Sequence, residues 1–185
     1  MEEKRFVNSY TNTCSFAGIK PIMVDLPYPP VMVRERNQAY ANLLSVDYCG
    51  PVSELSAITQ YINNENRLSC EKCPLAKTLL GIAIAEMMHL QKLGELIWLL
   101  GGKVDFAARG CYARPRLWTP DYLDIPENAV KMITADIEAE RSAINQYEKH
   151  IDMMDDDCVN AVLARIIKDE EYHIMLLKVL RNELL

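Results

Sequence analysis

Apolar positions recur along most of this chain with the three-to-four-residue spacing of helices that face a common interior. The pattern turns helical over residues 34–47, is interrupted by Gly50-Pro51, and resumes in a helix over about 53–64. A second long helix is expected over 74–100, with Pro74 in its first turn and Gly101-Gly102 after its end. It is apolar nearly all round, as a buried helix is. Residues 103–125 then read as a long connection with aromatic-rich pieces. Asp124 and Glu127 suggest a capping box opening a third helix that runs to about 153. Asp155-Asp156-Asp157 supply a turn and a cap, and a fourth helix covers about 158 to the chain end.

The connections are short, long, short. Short links make antiparallel neighbours, and one long central crossover joins two helix hairpins into a bundle. Ahead of this unit, residues 1–33 carry Pro21, Pro27, Pro29 and Pro30 and read as an extended arm. Its apolar residues imply that it packs on its own bundle or on a neighbouring subunit. The expected division is therefore an arm, 1–33, and an all-α four-helix domain, 34–185.

At 185 residues the chain suits one domain with a sizeable core. A net charge of -6 and no basic run argue against nucleic acid as a partner. The strongly apolar stretch 79–90 is broken by Glu86 and His89, so it is expected to be too short and too charged to span a bilayer. No apolar signal core follows the N-terminal charges, and a cytoplasmic location is the default expectation. On that basis the six cysteines, Cys14, Cys49, Cys70, Cys73, Cys111 and Cys158, are expected as reduced thiols. The lone CxxC of Cys70 and Cys73 lacks the second pair that a zinc or rubredoxin site needs, and reads as a helix–helix turn.

The chemistry lies in an internal repeat. Glu54-Leu55-Ser56-Ala57-Ile58-Thr59-Gln60-Tyr61 matches Glu140-Arg141-Ser142-Ala143-Ile144-Asn145-Gln146-Tyr147 at six of eight positions. The second and fourth helices share Glu-x-x-His, as Glu86–His89 and Glu170–His173, which follow the first glutamate of their halves by 32 and 30 residues. Each half thus carries Glu, then Glu-x-x-His. Residues three apart share a helix face, so each Glu-x-x-His pair can converge on one ion, with Glu54 and Glu140 projecting from the other helices. Four carboxylates neutralise two divalent ions, and oxygen with imidazole donors suits Fe or Mn over Mg or Ca.

As ordinary surface charges, these glutamates would have water or a basic neighbour one turn away. None of the four has Lys or Arg three or four positions to either side. Glu86 sits among Ile82, Ala83, Ala85, Met87 and Leu90, where an unpaired carboxylate would be costly. One Glu-x-x-His is a weak signal, whereas two in register with two matching Glu helices are a strong one. Tyr61 and Tyr147, seven residues after their glutamates, share the glutamates' face. They read as core tyrosines, as donors to a ligand carboxylate, or as redox-active phenols. The facing of Gln60 and Gln146 stays open. His150 is expected to face solvent, and Met87, Met88 and Trp98 to lie in the core.

With these residues in place, the chain from about Ser53 onward resembles the ferritin-like superfamily of di-iron and dimanganese carboxylate proteins. The resemblance implies a ligand set of Glu54, Glu86, His89, Glu140, Glu170 and His173. The Glu-plus-seven Tyr resembles bacterioferritin and ferritin helices. The Tyr-Pro-Pro arm and Cys49-Gly50-Pro51-Val52-Ser53-Glu54-Leu55 resemble spore-coat proteins of the manganese catalase family. Rubrerythrin-type peroxidases are a third relative. The manganese catalase likeness implies that Glu170 serves as a base beside the metals instead of as a ligand.

Three functions follow from that resemblance. One is a peroxide- or dioxygen-consuming oxidoreductase with two Fe or Mn ions, in which Glu170, Tyr61 and Tyr147 take part in catalysis. Dismutation needs no outside electrons, whereas peroxidase chemistry needs an external electron donor, since the two CxxC pairs of a rubredoxin-like module are absent. The second is a ferroxidase or iron-storage protein, and the third a coat-like structural protein stapled by metal. The apolar second helix and the Pro-rich arm imply a homodimer or larger assembly.

Overall fold

The computed structural model describes residues 14–110 and 114–185. The arm's residues 1–13 and Cys111 lie outside the described residues. Among the described residues five α-helices form: α1 Gln38–Cys49, α2 Glu54–Leu68, α3 Cys73–Leu99, α4 Ala129–Met153 and α5 Asp157–Glu183. The hairpins α2–α3 and α4–α5 make the expected four-helix bundle. The crossover between α3 and α4 carries a small antiparallel ladder, β1 Ala107–Ala108 with β2 Arg116–Leu117, and a 3-10 turn at Pro120–Tyr122.

Local chemistry sets the helix starts. Asn37 Oδ1 accepts from the N–H groups of Ala39 and Tyr40 at 3.0 and 3.1 Å, so α1 begins later than position 34. Ser53 caps α2 and places Glu54 at its first position. Asp156 caps α5 through the N–H groups of Cys158 and Val159. The capping box expected at Asp124 does not form. The Asp124 carbonyl accepts instead from Gln60 Nε2, and Asn128 caps α4 by accepting from Lys131 N at 2.9 Å. At the end of α3, Gly101 adopts φ +86°, and the Gly102 N–H returns to the Ile97 carbonyl at 2.8 Å.

The core divides into two apolar clusters along the bundle axis. One gathers Leu44 of α1, Leu93, Leu96 and Ile97 of α3, and Val162, Leu163 and Ile166 of α5. The other gathers Leu79 and Ile82 of α3, Ile133 and Ile137 of α4, and Leu177 of α5. The Glu-x-x-His residues of α3 and α5 lie in sequence between the segments that feed these clusters.

Two expectations about α3 change. Trp98 is 71% exposed and Met87 43% exposed, because α3 turns one face outward and carries both residues on it. By length and composition α3 is also long and apolar enough to cross a membrane, since residues 79–90 are only its middle. Its Glu86 and His89, however, are completely buried among the other helices.

The arm packs on its own bundle, against α3 and α5. Ile22 N donates to the Gly81 carbonyl of α3 at 3.0 Å, and Val24 N donates to Asp169 Oδ1 of α5 at 2.8 Å. Arg165 donates to the carbonyls of Val24 and Leu26 at 3.0 and 2.8 Å. Gly81 permits this closeness: a Cβ there would lie 2.8 Å from the Ile22 side chain. At the start of α3, Cys73 forms a disulfide with Cys14. This corrects the expectation of reduced thiols for those two residues. The folded-back arm brings their Cα atoms to 5.4 Å, a proximity that sequence spacing cannot show. Cys70 stays an exposed free thiol in the α2–α3 turn.

Candidate metal centre

The four helices bring all six predicted residues together, and each is at most 3% exposed. His89 Nδ1 lies 2.7 Å from Glu86, 3.2 Å from Glu170 and 3.6 Å from Glu54. His173 Nδ1 lies 2.9 Å from Glu170, 3.0 Å from Glu86 and 3.6 Å from Glu140. Each histidine therefore faces its own helix's glutamate, the opposite half's Glu-x-x-His glutamate, and one further carboxylate. Two overlapping donor sets result, Glu54-Glu86-His89-Glu170 and Glu86-Glu140-Glu170-His173, with donor atoms within 4.8 Å of one another in each. Glu86 and Glu170 belong to both.

Without metal this cluster is electrostatically awkward. Burial pushes the Glu54 and Glu140 carboxyls well up, and the charges of Glu86 and Glu170 add to it. Burial also opposes charge on Glu86, yet His89 and His173 outweigh it and hold that carboxyl below its usual range. Burial disfavours charge on both histidines, but the surrounding carboxylates outweigh it and raise both imidazoles. The buried Glu86 Oε1 has no aligned hydrogen bond, although His173 Nδ1 lies 3.0 Å away. Two divalent cations would balance the charge of these carboxylates, and the buried Glu and His cluster could bind a dinuclear metal site.

The tyrosines cross between the halves. Tyr61 of α2 donates to Glu140 of α4, and Tyr147 of α4 donates to Glu54 of α2. Burial raises both phenols strongly, and the carboxylate each one faces adds to that, so both remain protonated donors. Each hydroxyl fixes one carboxylate oxygen; on Glu54 the other oxygen faces His89, whereas on Glu140 the oxygen that accepts from Tyr61 is also the one nearest His173. Gln146 donates to Asp47 and to the Val52 carbonyl, both at 2.8 Å, so it ties α4 to α1 and to the entrance of α2.

His150 does not face solvent. It is 9% exposed, and its Nδ1 lies 2.7 Å from Asp47. The cause is α1, which stands outside the repeat and sets Asp47 against α4.

Several residues of the site escaped sequence reasoning. Asp169 lies 3.2 Å from His89 Nε2, pairs with Arg165 at 2.8 Å and accepts from Tyr28 OH at 2.7 Å. Burial favours its neutral form, but these donors outweigh burial and hold its carboxyl down at about 2. Its place directly before Glu170 was the available signal. Ile22, whose carbonyl lies 2.7 Å from His173 Nε2, had none.

A cavity of about 270 Å³ opens the centre toward α2 and α4. Ala57, Ala139 and Ala143 form apolar wall, Ser53 and Gln60 add polar groups, and Tyr122 of the crossover lies at its side. It reaches Glu54, Glu86, Glu140 and Glu170.

The ferritin-like domain family matches residues 53–184. Two structures of KatB, a manganese catalase from Anabaena, superpose with a TM-score of 0.75 at 26% identity, covering 86% of this chain and 78% of that one. Bacterioferritin of Rhodobacter capsulatus superposes with a TM-score of 0.64 at 22% identity, covering 78% of this chain and 84% of that one. A search among curated proteins finds no match. The family match spans the whole bundle and the buried Glu and His cluster within it, and the chain belongs to the ferritin-like family.

Proposed function

We propose that this chain is a dinuclear Fe or Mn carboxylate oxidoreductase that acts on hydrogen peroxide or dioxygen, with catalase- or peroxidase-like chemistry. The observation that carries this reading is the pair of buried, overlapping donor sets beside a cavity. Glu54 and His89 would hold one ion, Glu140 and His173 the other, and Glu86 and Glu170, which belong to both donor sets, could serve either. Two such ions, when bound, would supply Lewis acidity and redox chemistry for a peroxide or dioxygen substrate.

The remaining roles fall to the protein. Tyr61 and Tyr147 keep Glu140 and Glu54 oriented. Glu170 faces both histidines and the cavity, so it is placed to exchange a proton with a substrate oxygen. The cavity admits the substrate, and the apolar clusters keep bulk water from the rest of the centre. The likeness to a manganese catalase favours peroxide dismutation, which requires no external electron donor. The outward apolar residues of α3, Met87 and Trp98, support assembly into a homodimer or larger oligomer.

Metal analysis of protein from its native host, paired with an oxygen electrode and added peroxide, tests the reading. Two Mn or Fe ions per chain with vigorous oxygen release are expected. Two iron ions with rapid Fe(II) oxidation and mineral growth, and no oxygen release, would establish iron storage instead. Stoichiometric metal without turnover would establish the metal-stapled structural protein.

A further inference from the structure

The two Glu-x-x-His units repeat, but their outer surroundings do not. With Glu86 aligned on Glu170, Ala85 aligns with Asp169 and Gly81 with Arg165. The second half therefore owns a carboxylate and a cation where the first half has only small side chains. His89 uses that carboxylate across the bundle, through Nε2 to Asp169 at 3.2 Å. Ala85 offers nothing equivalent to His173. The arm supplies the missing acceptor, since it lies close over Gly81 and directs the Ile22 carbonyl to His173 Nε2 at 2.7 Å.

A carbonyl and a carboxylate that pairs with Arg165 only accept, so each Nε2 carries a hydrogen, and Nδ1, which faces the glutamates, is the nitrogen that would give its lone pair to a cation. The two imidazoles are nonetheless unequal donors. A carboxylate behind the ring strengthens its donation to a cation more than a neutral carbonyl does, and loss of such a partner typically costs ten- to a hundredfold in metal affinity. Asp169 sits on α5 and is fixed there by Arg165 of the same helix at 2.8 Å, with the arm's Tyr28 and Val24 adding to it, whereas the Ile22 carbonyl is carried by the arm alone and held at its own residue by one backbone bond, from Ile22 N to Gly81.

We infer that the two metal positions are unequal, and that the N-terminal arm completes the weaker one by orienting His173 through the Ile22 carbonyl. The ion beside His89 enters first. The ion beside His173 binds well only while the arm is seated. Ile22 is thus a positioning residue for half of the centre. This rests on the reading of the six residues as holders of two ions, and not on which reaction they serve.

The test is a calorimetric titration of the metal-free full chain with Mn²⁺, followed in parallel by electron paramagnetic resonance. The wild-type protein should take up two ions in separate steps, at least tenfold apart in affinity. Gly81→Leu places a side chain where Ile22 lies and alters none of the six donors, and leucine is the better helix former. This variant should keep the first step and weaken the second by ten- to a hundredfold. Two wild-type steps of equal affinity would overturn the inference while leaving the dinuclear reading intact. A Gly81→Leu protein with both steps unchanged, or both weakened alike, would overturn it too. Fewer than two wild-type ions would sink the dinuclear reading itself. Should circular dichroism show the variant unfolded, the separation of the two wild-type steps decides.

Discussion

The two faces of the bundle treat the same six residues differently. On the α3–α5 face the arm lies across the helices, and its backbone and Tyr28 bond to His173, Asp169 and Gly81. On the α2–α4 face the tyrosines bond across the site, and a cavity lined with small side chains reaches the glutamates. One face is covered by the arm and closely hydrogen-bonded to the donors, and the other is open as a cavity that reaches the glutamates. A plain hairpin repeat would give two similar faces; the arm and the crossover, neither of which belongs to the repeat, make them unlike.

The largest effect should come from the residue that both faces share. Glu86→Ala removes a donor from both sets and should abolish stoichiometric binding of both ions. Metal analysis after dialysis checks this, and two retained ions would contradict the proposed donor set. On the cavity face, Asp136 is buried, accepts from Asn64 at 3.0 Å, and has its carboxyl raised to about 7, chiefly by burial. Its folded pKa lies above the ordinary value, so the folded protein holds that proton longer than the unfolded chain. The resulting stabilisation is complete below about pH 4 and is lost as pH rises through about 7. Asp136→Asn, compared with wild type at fixed metal loading, should gain on the order of 4 kcal/mol between pH 4 and pH 8. Urea unfolding at both pH values measures it, and a pH-independent difference would show that the carboxyl is not perturbed.

A smaller effect separates access from assembly. Ala57→Phe fills the cavity wall without removing a donor. It should slow reaction with peroxide or dioxygen by roughly ten- to a hundredfold while two ions remain bound. Unchanged turnover would mean that substrate enters elsewhere, and lost metal would mean that the wall supports the donors.

How much of this was legible in the sequence follows from how local each signal is. The helices and the six clustered residues were legible because both depend on periodicity and on a repeat that displays the same donors twice. Glu54 and Glu140 could be paired with their tyrosines by a seven-residue interval, but not with the partner across the bundle, since Tyr61 meets Glu140 and Tyr147 meets Glu54. His150 looked solvent-facing because its partner Asp47 arrives on α1, outside the repeat. The Cys14–Cys73 bond and the Ile22 carbonyl were invisible because they depend on where an irregular arm lands. Trp98 matched a core pattern because an outward apolar face and an inward one have the same spacing.

A diffraction experiment on metal-loaded crystals, collected at the Mn and Fe absorption edges, tests the central claim most directly. Two anomalous peaks are expected inside the bundle, one beside Glu54 and His89, the other beside Glu140 and His173, with Glu86 and Glu170 next to both. A single peak, or peaks confined to surface carboxylates, would contradict it.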